Sequence, residues 1–223
     1  VDSLAAMDRQ SLWVTCRLAL TVTPLLILAA LPLAGVLAFS RFPGQGLVEA
    51  TCNLPLVLPT TVLGFFLLVA MSPTSPLGRA WEDAVGARLV FSYSGLVLAS
   101  MVFNLPFALQ PLRAAFRKID PRLIEAAYVL GCSRAEAFVR VVLPNSLPGL
   151  AAAAVLVFAH TMGEFGVALM VGGSIPGSTR VASIAIFERV EMLDYGAAML
   201  LSLALVPPAY VVLLALRRME DAR

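Results

Sequence analysis

The sequence predicts an all-α membrane protein of about five transmembrane helices, with one helix–turn–helix loop between the third and fourth. Composition carries the first half of that statement. Of 223 residues, 60% are hydrophobic and 13% charged, whereas a soluble domain carries about a quarter charged residues. Five apolar stretches of spanning length carry the second half, and a single polar insertion framed by helix-capping residues places the loop. Runs such as the AAAAVLVFA of 151–159 lack the period-two alternation of membrane strands, which leaves helices as the spanning element.

The stretches run over 12–39, 47–71, 93–113, 146–172 and 195–216. Each covers about 30 Å of hydrocarbon at roughly 1.5 Å per residue. The expected organisation is an outer N-terminal segment 1–11, a transmembrane domain 12–216 and a C-terminal tail 217–223. The opening VDSLAAMDRQ has no cationic n-region, so the run after it is expected to be a mature first span. Placing the 117–144 loop in the cytoplasm puts ten basic residues inside and five or six outside. The positive-inside rule then sets the N-terminus outside and the C-terminus in the cytoplasm.

Proline falls within every span, at Pro24 and Pro32, Pro55 and Pro59, Pro106 and Pro111, Pro148, and Pro207 and Pro208. Proline removes a backbone donor and bends a helix; such kinks serve either ordinary packing or a path that opens and closes. Between the second and third spans, Leu77, Trp81 and Val85 share one helical face away from Glu82 and Asp83, the pattern of an interfacial helix. A net charge of +2 with dispersed basic residues leaves no footprint for nucleic acid. Cys16, Cys52 and Cys132 are odd in number and imply no disulfide framework.

The loop 117–144 reads as two short helices. Asp120 before Pro121 supplies an N-cap residue followed by the best first helical residue. Leu123, Ala127 and Leu130 fall on one face, and Gly131 stands where a left-handed glycine stops the helix. Ser133 and Glu136 form an S-x-x-E capping box for a second helix with Phe138, Val141 and Val142 as its apolar stripe, ended by Pro144. Two residues would suffice to turn the chain. The loop therefore presents an ordered knob, either to a partner or flat on the lipid surface.

In the fourth span His160 and Glu164 lie at i and i+4, which is also metal-ligand spacing. His160 is the only histidine, so no metal site is expected. Intramembrane ionisable groups pair or face water, so a contact between the two, or a structural hydrogen bond, is expected. On a straight helix from Ser146, Glu164 lies about 27 Å along the axis, near the outer mouth, where a bare carboxylate would repel an oxyanion. Glu164 is therefore expected to be paired, or to orient Gly166 and the outer loop. Candidates for a weak polar lining or gate are Asn53, Thr60, Thr61, Ser100, Asn104 and Thr161 with Gly163, Glu164 and Gly166. Each polar one is equally able to bond across helices or back to its own backbone. Five spans are too few to enclose a path, so a second copy about a two-fold axis is expected.

The string Glu125-Ala126-Ala127, then Gly131, then Val141-Val142-Leu143-Pro144 resembles the EAA loop of ABC-importer permeases, with valine where that family often has isoleucine. The resemblance implies the transmembrane domain of a type I ABC importer, a homodimer carrying two ATP-binding subunits. It also implies that Glu125, Ala126, Ala127, Leu130, Gly131 and Ser133 form the coupling surface for those subunits. The stretch HTMGEFGVALMVGGSIPGSTR of 160–180 and the SIAIFERVEMLDYGAA of 183–198 resemble molybdate permeases, and more loosely sulfate and thiosulfate permeases.

That resemblance implies a bacterial inner-membrane subunit passing molybdate or tungstate, fed by an extracytoplasmic binding protein. Gly173, Ser174, Gly177 and Arg180 are candidate contacts for the latter, although an ordinary loop with a snorkelling arginine reads equally well. The chain contains no G-x-x-x-x-G-K-[ST] phosphate loop, so ATP and Mg are expected on the partner subunit. No cofactor or catalytic residue is expected in this chain. The rival classes are a sulfate importer and a membrane enzyme or scaffold built on His160 and Glu164.

Overall fold

The computed structural model describes residues 2–221, which are helical with short connections and contain no strand among the described residues. α1 (Asp2–Phe39) runs unbroken through Pro24 and Pro32, and takes in the N-terminal segment expected to precede the first span. α5 (Tyr93–Arg117) starts at Ser92, whose hydroxyl caps Gly95 N, and also runs through its two prolines. These two helices are long and apolar enough to cross a membrane unbroken, over Asp8–Phe39 and Tyr93–Arg117.

The second expected span is not one helix. α2 (Gln45–Asn53) passes into a 3₁₀ turn at Leu54–Leu56 and the chain then restarts as α3 (Thr60–Ala70), at 112° to the first piece. Pro55 and Pro59 explain the break, since each removes a donor and Pro59 holds Leu58 out of the helical region. The fourth span is also divided. α6 (Pro121–Val129) and α7 (Arg134–Ala137) form the loop, followed by a π turn Phe138–Val142 and the short α8 (Leu143–Asn145). The helix thus continues through Pro144, where the sequence suggested a stop, and bends by 75° into α9 (Leu147–Met162). A second interruption at 163–165 separates α9 from a helical stretch ending in the π turn Ala168–Gly172.

α4 (Pro76–Val85) is the expected interfacial helix, capped by Ser75 and ended by Gly86 at φ +73°, with Leu77 and Val85 exposed and Trp81 packed inward. α10 (Ala182–Glu191) has no counterpart in the sequence reading. α11 (Tyr195–Asp221) is the last apolar helix and keeps Pro207 and Pro208 inside it.

The core lies where α1, α5 and α9 meet, filled by Leu18, Leu26, Leu37, Leu96, Leu112, Phe116 and Val157. Ala30, Ala34, Ala108 and Ala153 are also fully buried, and small residues let helix backbones approach closely. A second cluster of Leu63, Leu89, Phe103, Val167 and Val171 joins α3 to α5 and the 166–172 stretch. Large apolar residues on the outward faces, such as Trp13, Leu28 and Leu200, are well exposed, as expected of a surface whose solvent is lipid.

Candidate coupling and permeation site

The loop is held by local chemistry at each of its ends. Asp120 Oδ1 accepts from Arg122 N at 3.0 Å, starting α6 at Pro121. At the other end Cys132 N donates to Ala127 O and Gly131 N to Tyr128 O, both at 3.0 Å. That pair of bonds is a Schellman closure, and it requires a left-handed residue at Gly131, which has φ +87°. A Cβ at Gly131 would meet nothing within 4 Å. The glycine is thus demanded by backbone conformation and not by crowding, as its place in a tight turn had suggested. The capping box is complete, with Ser133 N donating to Glu136 Oε2 at 2.8 Å and Glu136 N to Ser133 Oγ at 3.3 Å. These bonds, and Arg140 one turn on, hold the Glu136 carboxyl below its ordinary range, the Ser133 backbone bond contributing most.

The α6 stripe is not buried as one face. Of Leu123, Ala127 and Leu130 only Ala127 is buried, while Val129 and Leu130 are 87% and 84% exposed. Glu125 and Ala126 are exposed beside them. The knob is seated by Ala127 together with Ala137, Val142 and the Phe138 ring, which meets Phe116 edge-on at 5.5 Å. The consequence is a small apolar surface of Tyr128, Val129 and Leu130 beside a charged rim residue, pointing away from the bundle.

Of the path candidates, the structure brings Thr60, Gly163, Glu164 and Gly166 together with His160, Phe103 and Phe165 around one cavity of about 400 Å³. Gly166 lets α3 approach, because a Cβ there would sit 2.8 Å from Thr60 Cβ, and Gly64 does the same one turn on, 2.9 Å from Met170 Cβ. Glu164 is 3% exposed. The interruption after Met162 turns it inward, so it does not continue up a straight helix to the outer mouth. Its Oε2 accepts from Ser100 Oγ at 2.7 Å, and its backbone carbonyl accepts from Ser183 Oγ.

No direct His160–Glu164 hydrogen bond is found among the described residues. His160 Nδ1 instead lies 2.9 Å from Asn104 Oδ1, its ring tilted against Phe107 at 3.8 Å and Phe103 at 4.9 Å between centroids. Asn104 Nδ2 already donates to Ser100 O at 2.8 Å, so its carbonyl faces His160 and the His160 proton is on Nδ1. Thr161 lies apart: its hydroxyl bonds back to Val157 O at 2.7 Å and is buried. Thr61 is exposed but does not line the cavity.

The loop 173–180, expected on the outer side, is folded onto α10. Gly173 and Gly177 take positive φ, of +65° and +73°. Thr179 Oγ1 donates to Gly172 O at 2.6 Å. Arg180 is neither a snorkelling side chain nor a free cation, since it is 5% exposed and its Nε donates to Glu188 Oε2 at 2.7 Å, while Ser174 bonds the other oxygen of Glu188. Alongside, Arg189 bridges Asp8 at 2.9 Å and Asp194 at 3.3 Å. Sequence reasoning missed Glu188, Arg189, Asp8 and Asp194, because these partners meet only after the loop and α1 have packed.

Comparison with known proteins fits this architecture. The family model for the binding-protein-dependent transport system inner membrane component matches residues 26–223. The chain is 43% identical over 213 residues to the molybdenum transport system permease protein ModB of Azotobacter vinelandii, covering 96% of this chain and 94% of that one. To the Escherichia coli K12 protein of the same name it is 36% identical over 80% of each chain, and to the E. coli sulfate transport system permease protein CysT 30% identical, over 85% of this chain and 68% of that one. Among solved structures, an inward-facing MetNI methionine ABC transporter matches with a TM-score of 0.76 at 19% identity, over 100% of this chain and 98% of that one. A bacterial alginate ABC transporter in complex with a pentasaccharide-bound periplasmic protein matches with a TM-score of 0.69 at 19% identity, over 94% of this chain and 76% of that one. The chain belongs to the family of binding-protein-dependent transport system inner membrane components.

Proposed function

We propose that the chain is the permease subunit of an ATP-driven importer for molybdate, with tungstate as its near twin, in the bacterial inner membrane. The observation that carries this is the 43% identity to a molybdenum permease over 96% of this chain, joined to a capped α6–α7 knob that turns Val129 and Leu130 away from the bundle at 87% and 84% exposure. A surface of that kind suits a groove on an ATP-binding subunit, with Glu125 at its rim. The substrate follows from the relatives, of which the two molybdenum permeases are more similar than the sulfate permease.

In this reading two copies of the chain pair about an axis along the membrane normal and carry two ATP-binding subunits, where ATP and Mg are used. The N-terminus lies outside and the C-terminus in the cytoplasm. A periplasmic binding protein delivers the oxyanion to the outer surface that includes Gly173, Ser174 and Gly177. The path passes Thr60, Gly163 and Gly166, with Glu164 in its wall and Asn104 behind it against His160; Thr61 and Thr161 stand off it. Closure of the ATP-binding subunits moves the paired knobs and shifts the helices between inward-open and outward-open states.

The test is reconstitution of the complex with its ATP-binding and binding proteins in liposomes, comparing ATPase stimulation by molybdate, tungstate and sulfate. Stimulation by molybdate or tungstate at concentrations where sulfate is silent is the expected result. Stimulation by sulfate alone would move the chain to a sulfate importer, and failure to bind any ATP-binding subunit would overturn the reading.

A further inference from the structure

α2 carries Gln45, Glu49 and Asn53 at i, i+4 and i+8, one polar stripe on an otherwise weakly polar helix. α5 meets that stripe with Gln110 and Arg113. Gln110 Nε2 donates to Asn53 Oδ1 at 2.9 Å, Arg113 Nη2 pairs with Glu49 Oε1, and Gln45 Nε2 donates to the same carboxylate oxygen at 3.0 Å. This ladder is open to the outside of the chain: Gln110 is exposed, and the Arg113 and Glu49 side chains are 22% and 26% exposed. Lipid is no medium for exposed amides and an ion pair, so this face meets water or a polar surface.

Its position is set by connectivity. α5 ends at Arg117 and leads at once into α6; four residues back, Arg113 lies about 6 Å from that end at roughly 1.5 Å per residue. The ladder therefore stands at the coupling-loop end of the bundle. Arg113 also has donors to spare. A guanidinium offers five N–H groups, Glu49 is its recorded partner, and Nε is buried with no hydrogen-bond partner.

α2 is short and lightly buried: only Cys52 is buried, Val48 packs beside it, and the rest of its hold is the ladder and a bond from Gln45 Nε2 to Leu37 O at 3.0 Å. It is bounded by Gly44 at φ +86° on one side and by the 112° bend at 54–59 on the other.

We propose that Arg113 is a contact for a tetrahedral oxyanion at the coupling-loop end of the path, and that Glu49 is the latch that neutralises it. This rests on the reading of the chain as an oxyanion permease. With α2 seated, the pair shows no net charge and an anion passes it without being held. With α2 displaced, the guanidinium is left to the anion, and reseating α2 returns Glu49 and expels it.

The experiment uses the full complex in liposomes with molybdate uptake as its readout, and compares wild type, Arg113→Gln, Glu49→Gln and the swap Glu49→Arg with Arg113→Glu. Loss of a charge-assisted bond to the anion lowers uptake by Arg113→Gln about tenfold or more, with assembly and binding-protein docking unchanged. Glu49→Gln retains more molybdate on the complex in the absence of binding protein, with slower turnover. The swap keeps an ion pair, and so assembles, yet fails to transport.

Recovery of wild-type uptake by the swap would reduce the pair to a structural tie and overturn the proposal, as would full uptake by Arg113→Gln. A single variant that does not assemble is decided by the swap, in which the pair is kept. A wild-type complex that moves sulfonium, sugar or amino-acid substrates but no oxyanion would instead overturn the functional reading beneath it.

Discussion

Replacing Gly131 with alanine isolates the conformational contribution of one residue to the proposed coupling loop. Gly131 has φ +87°, and a residue with a Cβ pays roughly 1–2 kcal/mol to sit in the left-handed region. Nothing lies within 4 Å of the added Cβ, so no steric cost is added, and no span residue is displaced. The whole penalty falls on the Schellman closure formed by Cys132 N with Ala127 O and Gly131 N with Tyr128 O. If docking of an ATP-binding subunit requires that closure, its affinity falls about five- to thirty-fold, the Boltzmann factor for that penalty. Asparagine, which tolerates this region better, loses less, and valine, branched at Cβ, loses most. The assay is equilibrium binding of the purified ATP-binding subunit to the permease in nanodiscs, with helicity by circular dichroism as the control for the spans. Equal affinity for glycine, asparagine, alanine and valine at 131 would show that the turn is not part of the docking surface.

Three further outcomes follow from the same geometry. Glu136 is held ionised by bonds that exist only in the folded capping box. Its contribution is therefore full above the ordinary carboxylate value of 4.5 and disappears as pH falls through the lower folded value. Hydrogen exchange at Ser133 and Glu136 amides should rise below about pH 4.5, and Glu136→Gln should show no such step. Gly166→Ala places a Cβ 2.8 Å from Thr60 Cβ; overpacking of this kind costs about 1–3 kcal/mol and should lower the melting temperature in detergent, an effect relieved by Thr60→Gly. Arg189→Ala leaves Asp8 without its cation beside a 4% exposed site. Breaking a buried pair costs about 3–5 kcal/mol, and the thermal stability lost should be partly recovered by Asp8→Asn.

The parts of this protein that were legible in its sequence are those governed by neighbours along the chain. Asp120, Pro121, Gly131, Ser133 and Glu136 act on backbone groups within five residues of themselves, so their roles could be read from spacing. Hydropathy placed the apolar stretches for a similar reason, because each is one continuous segment. It did not show that the second and fourth stretches are broken, since a window average cannot tell a straight helix from two pieces joined at Leu58-Pro59 or at Gly163-Glu164-Phe165. The facing of α6 was left open in the sequence because apolar periodicity marks a face to be covered and says nothing of which molecule covers it. Leu130, named for the coupling surface by resemblance, is a surface residue, whereas Ala127 of the same stripe is buried. The long-range partners of Glu164, Arg180 and Arg189 were out of reach, because the carboxylates and hydroxyls that meet them come from other helices.

The two breaks have a common physical sense. A bilayer tolerates non-helical backbone only where protein or water satisfies the exposed groups, so an interrupted span must be buried within the bundle or line a wet cavity. At 163–165 the freed Glu164 carbonyl is taken by Ser183 of α10 and the carboxylate by Ser100 of α5. The turn is thereby tied to two helices that otherwise stand on different sides of it. At 54–59 no comparable side-chain bond appears among the described residues, and Val57 is 83% exposed. One break is tied by side-chain bonds and the other is held by packing, with Pro55 buried. A path that opens and closes needs both a fixed wall and a part that moves against it. In the reading proposed above, α2 and the Leu58-Pro59 bend are the moving part and the Ser100–Glu164–Ser183 tie is the wall, with the cavity lined by Thr60 and Glu164 between them.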